Sequence, residues 1–191
     1  MRNPGTTTGL LLAAGAGRRM GRPKALVEDW LIRAVESLAN CDQVVVVLGA
    51  AAEQARPLLE GHAVTVVVAH DWDDGMGASL SAGLAHLAHG EATRCLVTLV
   101  DLPDVGAEVV RRLLDLPEHE SVLARAAYDG RPGHPVLIGR DHWTGVIGTA
   151  TGDQGARAYL GSHAVAIIEC GDLATGVDVD VRPTPDQPSA E

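Results

Sequence analysis

Phenylalanine is absent from this 191-residue chain, and three Trp and two Tyr are its only other large aromatics. A hydrophobic core must therefore be built from Leu, Val, Ile and Ala. Lysine occurs once, at Lys24, and acidic residues exceed basic ones to leave a formal charge of −10. That balance argues against a nucleic-acid-binding surface, which would show basic stripes. A pocket for a small anionic molecule is not, because a few arginines can gather in one place. Cys41, Cys95 and Cys170 are isolated and odd in number, so they form neither a zinc-ligand pattern nor a disulfide framework, as suits a reducing cytoplasm. No apolar run approaches membrane-spanning length, and the opening MRNPGTTTG has no signal-peptide profile. The Gly-Lys-Ser/Thr of a Walker loop is missing too.

What the chain does have is concentrated in LLLAAGAGRRMGRPK, Leu10 to Lys24. The leucine run reads as a buried first strand. Gly15, Gly17 and Gly21 follow it, with Arg18 and Arg19 between them and Lys24 closing the loop. A glycine loop after a strand lets backbone N–H groups approach phosphate oxygens with no Cβ in the way. Arginine forks and a lysine point charge then offset a polyphosphate. The loop reads as a cradle for a nucleoside triphosphate, Arg18 and Arg19 being otherwise an exposed loop pair. The spacing Gly15-x-Gly17-x-x-x-Gly21 is also close to a dinucleotide fingerprint. That reading wants a carboxylate closing the second strand, which here ends Leu48–Gly49–Ala50.

The length suits one domain over residues 1–191, with 1–8 and the Pro-rich 182–191 expected to fray. Strands are expected at 10–12, 44–48, 64–68, 96–100, 121–127 and 165–169, with 134–138 also extended. Helical spacing recurs at 30–38, 50–59, 79–87, 108–116 and 155–160. Strands alternating with helices predict βαβ crossovers and a mostly parallel sheet in a three-layer α/β sandwich. In such sheets ligands bind beyond the carboxyl ends of the strands. The glycine loop, the segment His70–Gly77 and Asp101 all fall there. Asp101 ends a strand and precedes Leu-Pro; as a hard oxygen ligand it suits Mg²⁺ in phosphoryl transfer. Asp73 and Asp74 read as loop solvation, and Ser79 as the N-cap of the helix that follows it. The remaining histidines lack metal-ligand spacing.

Taken together, LLLAAGAGRRMGRPKAL, GMGASLSAGL, VDLPDV, GRPGHPVLIGR, GDQGARAYL and VDVD resemble, in the same order, the MobA-like nucleotidyltransferases. These include the molybdenum cofactor guanylyl- and cytidylyltransferases, and LAAG, GHP and GDxGAR are most similar to the cytidylyl branch. The resemblance implies a Rossmann-like nucleotide-diphospho-sugar transferase fold. It implies that Leu12, Ala13, Ala14, Gly15, Gly17, Arg18, Arg19 and Lys24 meet the nucleotide, with Gly77, Ser79 and Ser81 near base and ribose. Catalysis falls to Asp101, Lys24 and Arg19; Asp101 and Asp180 hold Mg²⁺, with Asp178 in reserve for the second position. His134, Asp153 and Arg157 line the acceptor side. The implied substrates are CTP and a phosphorylated pterin, and the implied partner is a molybdenum hydroxylase. Alternatives are GTP, a sugar-phosphate or phospholactate acceptor, or a non-catalytic carrier of the cofactor. Two departures stand out. Val181–Pro185 shifts the usual pattern after VDVD, and Lys24 reaches helical periodicity in about half the family's span. The second leads us to expect that a mobile turn is missing after Glu28.

Overall fold

The computed structural model describes residues 5–180. Seven strands form one sheet: β1 (Thr6–Ala13), β2 (Gln43–Leu48), β3 (Thr65–Val68), β4 (Ala92–Leu99), β5 (Leu123–Tyr128), β6 (Arg131–Gly139) and β7 (Ala166–Glu169). Their spatial order is β3-β2-β1-β4-β6-β5-β7, and β6 alone runs against its neighbours. The helices are α1 (Trp30–Ser37), α2 (Ala52–Ala55), α3 (Met76–Ala88), α4 (Ala107–Leu114), α5 (Arg140–Thr149) and α6 (Arg157–Gly161).

Alternation along β1 explains the three layers. Leu11 and Ala13 face one core with Leu31 and Val35 of α1 and Val109 and Leu113 of α4. Leu10 and Leu12 face the other, with Leu80 and Leu84 of α3 and Trp143 and Val146 of α5. Both faces of the strand are covered, so its sequence is continuously apolar rather than alternating. Each such leucine contributes about 1.5–3 kcal/mol by leaving water. The mostly parallel, three-layer expectation holds.

Several boundaries differ from the sequence reading. Thr6 to Thr8 do not fray: they open β1, with Thr7 N donating to Asp42 Oδ2 at 2.7 Å and Thr8 fully buried. The segment 182–191 lies outside the described residues, as does the register of Val181–Pro185. No turn is missing after Glu28. The backbone runs unbroken to Asp29, Trp30 N donates to Val27 O at 3.0 Å, and Glu28 itself closes the turn at φ 42°. Helix 50–59 is split, α2 passing at Arg56 into a 3-10 turn that holds Pro57. Ser79 does not cap a helix, because α3 begins at Met76 and Gly75 stands at the cap. Between β5 and β6 the chain turns on Asp129 and Gly130 alone, both at positive φ, as a two-residue hairpin between twisted strands requires. Helix α5 was not foreseen.

Candidate active site

Strand β1 pairs with β2 on one side and β4 on the other. The chain leaves β1 to cover one face with α1, and reaches β4 only after α3 has covered the other. The crevice between the carboxyl ends of β1 and β4 is therefore where the winding reverses, the place such sheets bind ligands. A cavity of about 440 Å³ opens there.

One wall is the loop after β1. Leu12, Ala13, Ala14, Gly15, Gly17, Arg18, Arg19 and Lys24 all line it. The loop is held in shape by Met20 N donating to Gly17 O at 2.9 Å and Ala50 N donating to Ala14 O at 3.0 Å. Gly17 sits at φ +60°, and a Cβ there would fall 1.9 Å from Arg22 O, so no other residue fits. Arg18 and Arg19 are exposed at the rim.

The floor is acidic. Asp101 follows β4 and is only 8% exposed. Its carbonyl accepts from Val179 N at 3.0 Å, a bond that draws the VDVD segment back across the sheet edge. Asp101, Asp178 and Asp180 thereby offer one carboxylate oxygen each within 4.8 Å of one another. Three hard oxygen donors at this spacing fit a divalent cation of the Mg²⁺ or Mn²⁺ type. Asp178, the reserve in the sequence reading, belongs to the cluster beside Asp180. The Lys24 ammonium reaches both Asp101 and, at 2.6 Å, Asp180 Oδ1. Burial alone would pull the Lys24 pKa down; the two carboxylates outweigh it and hold it above the ordinary lysine value. Lys24 in turn holds Asp180 below the usual carboxylate range, helped by Arg19 at 3.2 Å.

Opposite lie Trp72, Asp73, Gly75, Met76 and Ser79. Gly75 has φ +107°, and its Cβ would stand 2.5 Å from Gly152 C, so this corner closes only on glycine. The contact brings Asp153 into the cavity wall. Ser79, buried at the first turns of α3, lines the cavity; Gly77 and Ser81 do not. Gly77 instead lets α3 approach Ala150 and Thr151, where a Cβ would meet backbone at 2.8 Å. Trp72, Asp73 and Met76 escaped the sequence reading. Asp73 carries no motif that separates it from an exposed loop residue, and the other two read as ordinary apolar positions.

His134 and Arg157 are not in the cavity wall but share a neighbourhood beyond it. Arg125 lies on β5 in register with Val136 of β6, on the face whose core includes Leu160 of α6. Burial, and then the Arg125 guanidinium, push the His134 imidazole down to about 4. Arg125 is itself half-buried and donates twice to Gly133 O, at 3.1 and 3.3 Å. Burial and then the nearby Arg157 lower its pKa. Nothing in the apolar strand Leu123–Tyr128 marked Arg125 as functional beforehand.

Among the described residues no helix is long and apolar enough to cross a membrane. The profile of the MobA-like NTP transferase domain matches residues 9–167. A protein named nicotine blue oxidoreductase from Paenarthrobacter nicotinovorans is 42% identical over 191 residues, covering 91% of each chain. A molybdenum cofactor guanylyltransferase from Rhodobacter capsulatus is 30% identical over 93% of this chain and 86% of its own. Among solved structures, the manganese complex of Rv0371C from Mycobacterium tuberculosis H37Rv superposes with a TM-score of 0.72. It is 28% identical and covers 91% of this chain and 94% of its own.

Proposed function

The chain belongs to the MobA-like NTP transferase family, and on that premise we propose that it transfers CMP from CTP to a phosphorylated pterin of the molybdenum-cofactor type. An acceptor phosphate oxygen attacks the α-phosphorus, a new P–O bond forms, the bond to the β-phosphate bridging oxygen breaks, and pyrophosphate leaves. The observation that carries this reading is the meeting of Asp101, Asp178, Asp180 and Lys24 at the foot of the glycine loop.

Such a displacement needs charge neutralisation and alignment more than a protein nucleophile. The loop from Leu12 to Gly17 offers backbone N–H groups to the triphosphate, and Arg18, Arg19 and Lys24 offer positive charge. Asp101 and Asp180, with Asp178, would hold Mg²⁺, which when bound supplies a Lewis acid to the phosphate oxygens. Trp72, Ser79 and Gly75 enclose the end of the cavity where a base would lie. Cytosine is preferred over guanine in this reading because Leu12–Ala13–Ala14–Gly15 resembles the cytidylyl branch, the guanylyl branch usually carrying LAGG there. His134, Asp153 and Arg157 are assigned to the acceptor side. Three free thiols are compatible with work in the cytoplasm, beside a molybdenum hydroxylase that would take the product.

A second reading has one observation behind it, the 42% identity to a protein named as an oxidoreductase. In that reading the same cleft takes a reduced nicotinamide dinucleotide. The carboxylate trio favours the transferase, because nucleotidyl transfer needs its phosphate charge offset, whereas hydride transfer does not require a divalent metal. The discriminating experiment offers CTP, GTP, ATP and UTP in turn with Mg²⁺ and molybdopterin-type cofactor, and measures pyrophosphate release. Release with CTP alone, abolished by Asp101→Asn, supports the proposal. Release with GTP alone moves the base assignment. Cofactor binding without release from any triphosphate favours a carrier. Oxidation of NADH or NADPH by nicotine blue, with no pyrophosphate formed, establishes the second reading.

A further inference from the structure

We propose that Arg125 and Arg157 form an oxyanion subsite, separate from the triphosphate loop, that grips a phosphate of the acceptor; the acceptor's identity, not the subsite, rests on the transferase reading above. Sheet register carries the argument. Leu123, Arg125 and Val136 share the face of the sheet whose core includes Leu160 of α6, and Arg157 opens that helix. Arg157 lies three residues after the turn Gly152–Gln154, whose Asp153 is in the cavity wall, and Arg125 stands two strands from β4, which leads into Asp101 of that wall.

The electrostatics of the pair are unusual. Arg125 is half-buried, yet its only hydrogen-bond acceptor among the described residues is one backbone carbonyl, Gly133 O. Neither arginine forms an ion pair with any carboxylate there, whereas Arg19, Arg33, Arg94, Arg111 and Arg112 all do. Two like charges brought together, one of them half out of water, are unfavourable unless an anion joins them. His134 adds no third charge, since burial keeps its ring neutral at pH 7. Guanidinium forks match the paired oxygens of a phosphate.

The test is calorimetric titration of the full chain with inorganic phosphate, in the absence of divalent metal. The triphosphate loop is first saturated with the nucleotide that the turnover assay selects, or with CTP if none does. Arg125→Gln is expected to weaken phosphate binding about tenfold or more, the loss of a charge-assisted pair. Arg157→Gln is expected to do the same, with nucleotide affinity unchanged by either. Arg157 is exposed and makes no hydrogen bond to another side chain among the described residues, so its substitution tests the subsite even if Arg125→Gln fails to fold. A role for Arg125 limited to bracing Gly133 O predicts no effect of Arg157→Gln. No phosphate binding to the saturated wild type, or binding indifferent to Arg157→Gln, overturns the proposal. Phosphate binding that both arginines control, in a chain that turns over no triphosphate, keeps the subsite and discards the transferase reading.

Discussion

Lys24 Nζ stands 2.6 Å from Asp180 Oδ1, a pairing across 156 residues of sequence, and the same ammonium also reaches Asp101. The only lysine of the chain is thus an internal counter-ion for the carboxylates that would hold a divalent cation. It competes with that cation for the same oxygens, and a triphosphate entering the loop offers it another partner.

Replacing Lys24 by Met should therefore separate metal binding from turnover. With the ammonium gone, the three carboxylates keep only the exposed Arg19 as counter-ion, and Mn²⁺ should bind the nucleotide-free chain more tightly, by on the order of tenfold. Pyrophosphate release should nevertheless fall about 100-fold or more, as when one charge-stabilising group is lost from a phosphoryl-transfer site. Titration of Mn²⁺ by electron paramagnetic resonance, beside the release assay, reads both. Metal affinity that falls along with turnover would show that Lys24 supports the cation site rather than competing with it.

Asp178→Asn and Asp180→Asn should differ. Asp180 is tied to Lys24 and Arg19, so its loss frees both cations and disturbs the triphosphate side as well as the metal. Asp178 offers an oxygen to the cluster without either bond. Asp180→Asn should raise the KM for nucleotide as well as lowering kcat, whereas Asp178→Asn should lower kcat with little change in KM. Steady-state kinetics at several Mg²⁺ concentrations decides it.

Gly17→Ala should abolish nucleotide binding while leaving the fold intact. The positive φ costs a residue with a Cβ about 1–2 kcal/mol, and the clash at 1.9 Å with Arg22 O forces the loop to move. Because the loop lies outside the sheet, thermal unfolding should shift by only a few degrees. Loss of triphosphate binding with near-wild-type circular dichroism is the expected result.

Which of these residues could be read from sequence follows from how local their signals are. The glycine loop is contiguous, and its chemistry is the chemistry of its own backbone, so all eight of its expected ligand contacts line the cavity. Asp101 was legible because it ends an apolar run. Asp178 and Asp180 reach it through the bond from Val179 N to Asp101 O and through Lys24, long-range contacts that spacing alone does not encode. Ser79 was misread as a cap because Gly75 starts α3 three residues earlier than propensity suggests. Helix α5 went unseen because RDHWTGVIGT carries two glycines and four β-branched residues that disfavour a helix. It is held by tertiary packing of Trp143 and Val146 and by Trp143 Nε1 donating to Ile138 O at 3.1 Å. Arg125 was invisible for the opposite reason: its strand reads as core, and only the sheet register shows what stands beside it.

The three thiols should be inert in the folded chain. Burial, and then Asp42, push Cys41 up to about 12; burial raises Cys95 and Cys170 as well. Thiolate is the reactive form, so alkylation by iodoacetamide near pH 8 should run at less than about a tenth of the rate in denaturant. Mass spectrometry of folded and unfolded samples checks this, and rapid labelling of Cys41 alone would reveal an opening of the β1–β2 edge.

His134 should give the protein an acid-side loss of stability that a substitution removes. Its ring titrates near 4 in the folded chain and near 6.5 when unfolded, the depression coming first from burial and then from Arg125. Between those values the unfolded chain binds a proton that the folded chain refuses, so stability rises with pH through that window and levels off above it. His134→Asn takes away this one contribution and leaves those of the other seven histidines in place. In urea unfolding between about pH 4.5 and pH 7, the wild type should gain more stability than the variant, by roughly 1–2 kcal/mol at the usual 1.4 kcal/mol per pKa unit discounted for partial exposure. Turnover above pH 6 should show no inflection from this ring, since it is already neutral there. Equal pH slopes for wild type and variant would mean that His134 is solvated and free to charge, and would make it a third cation beside Arg125 and Arg157.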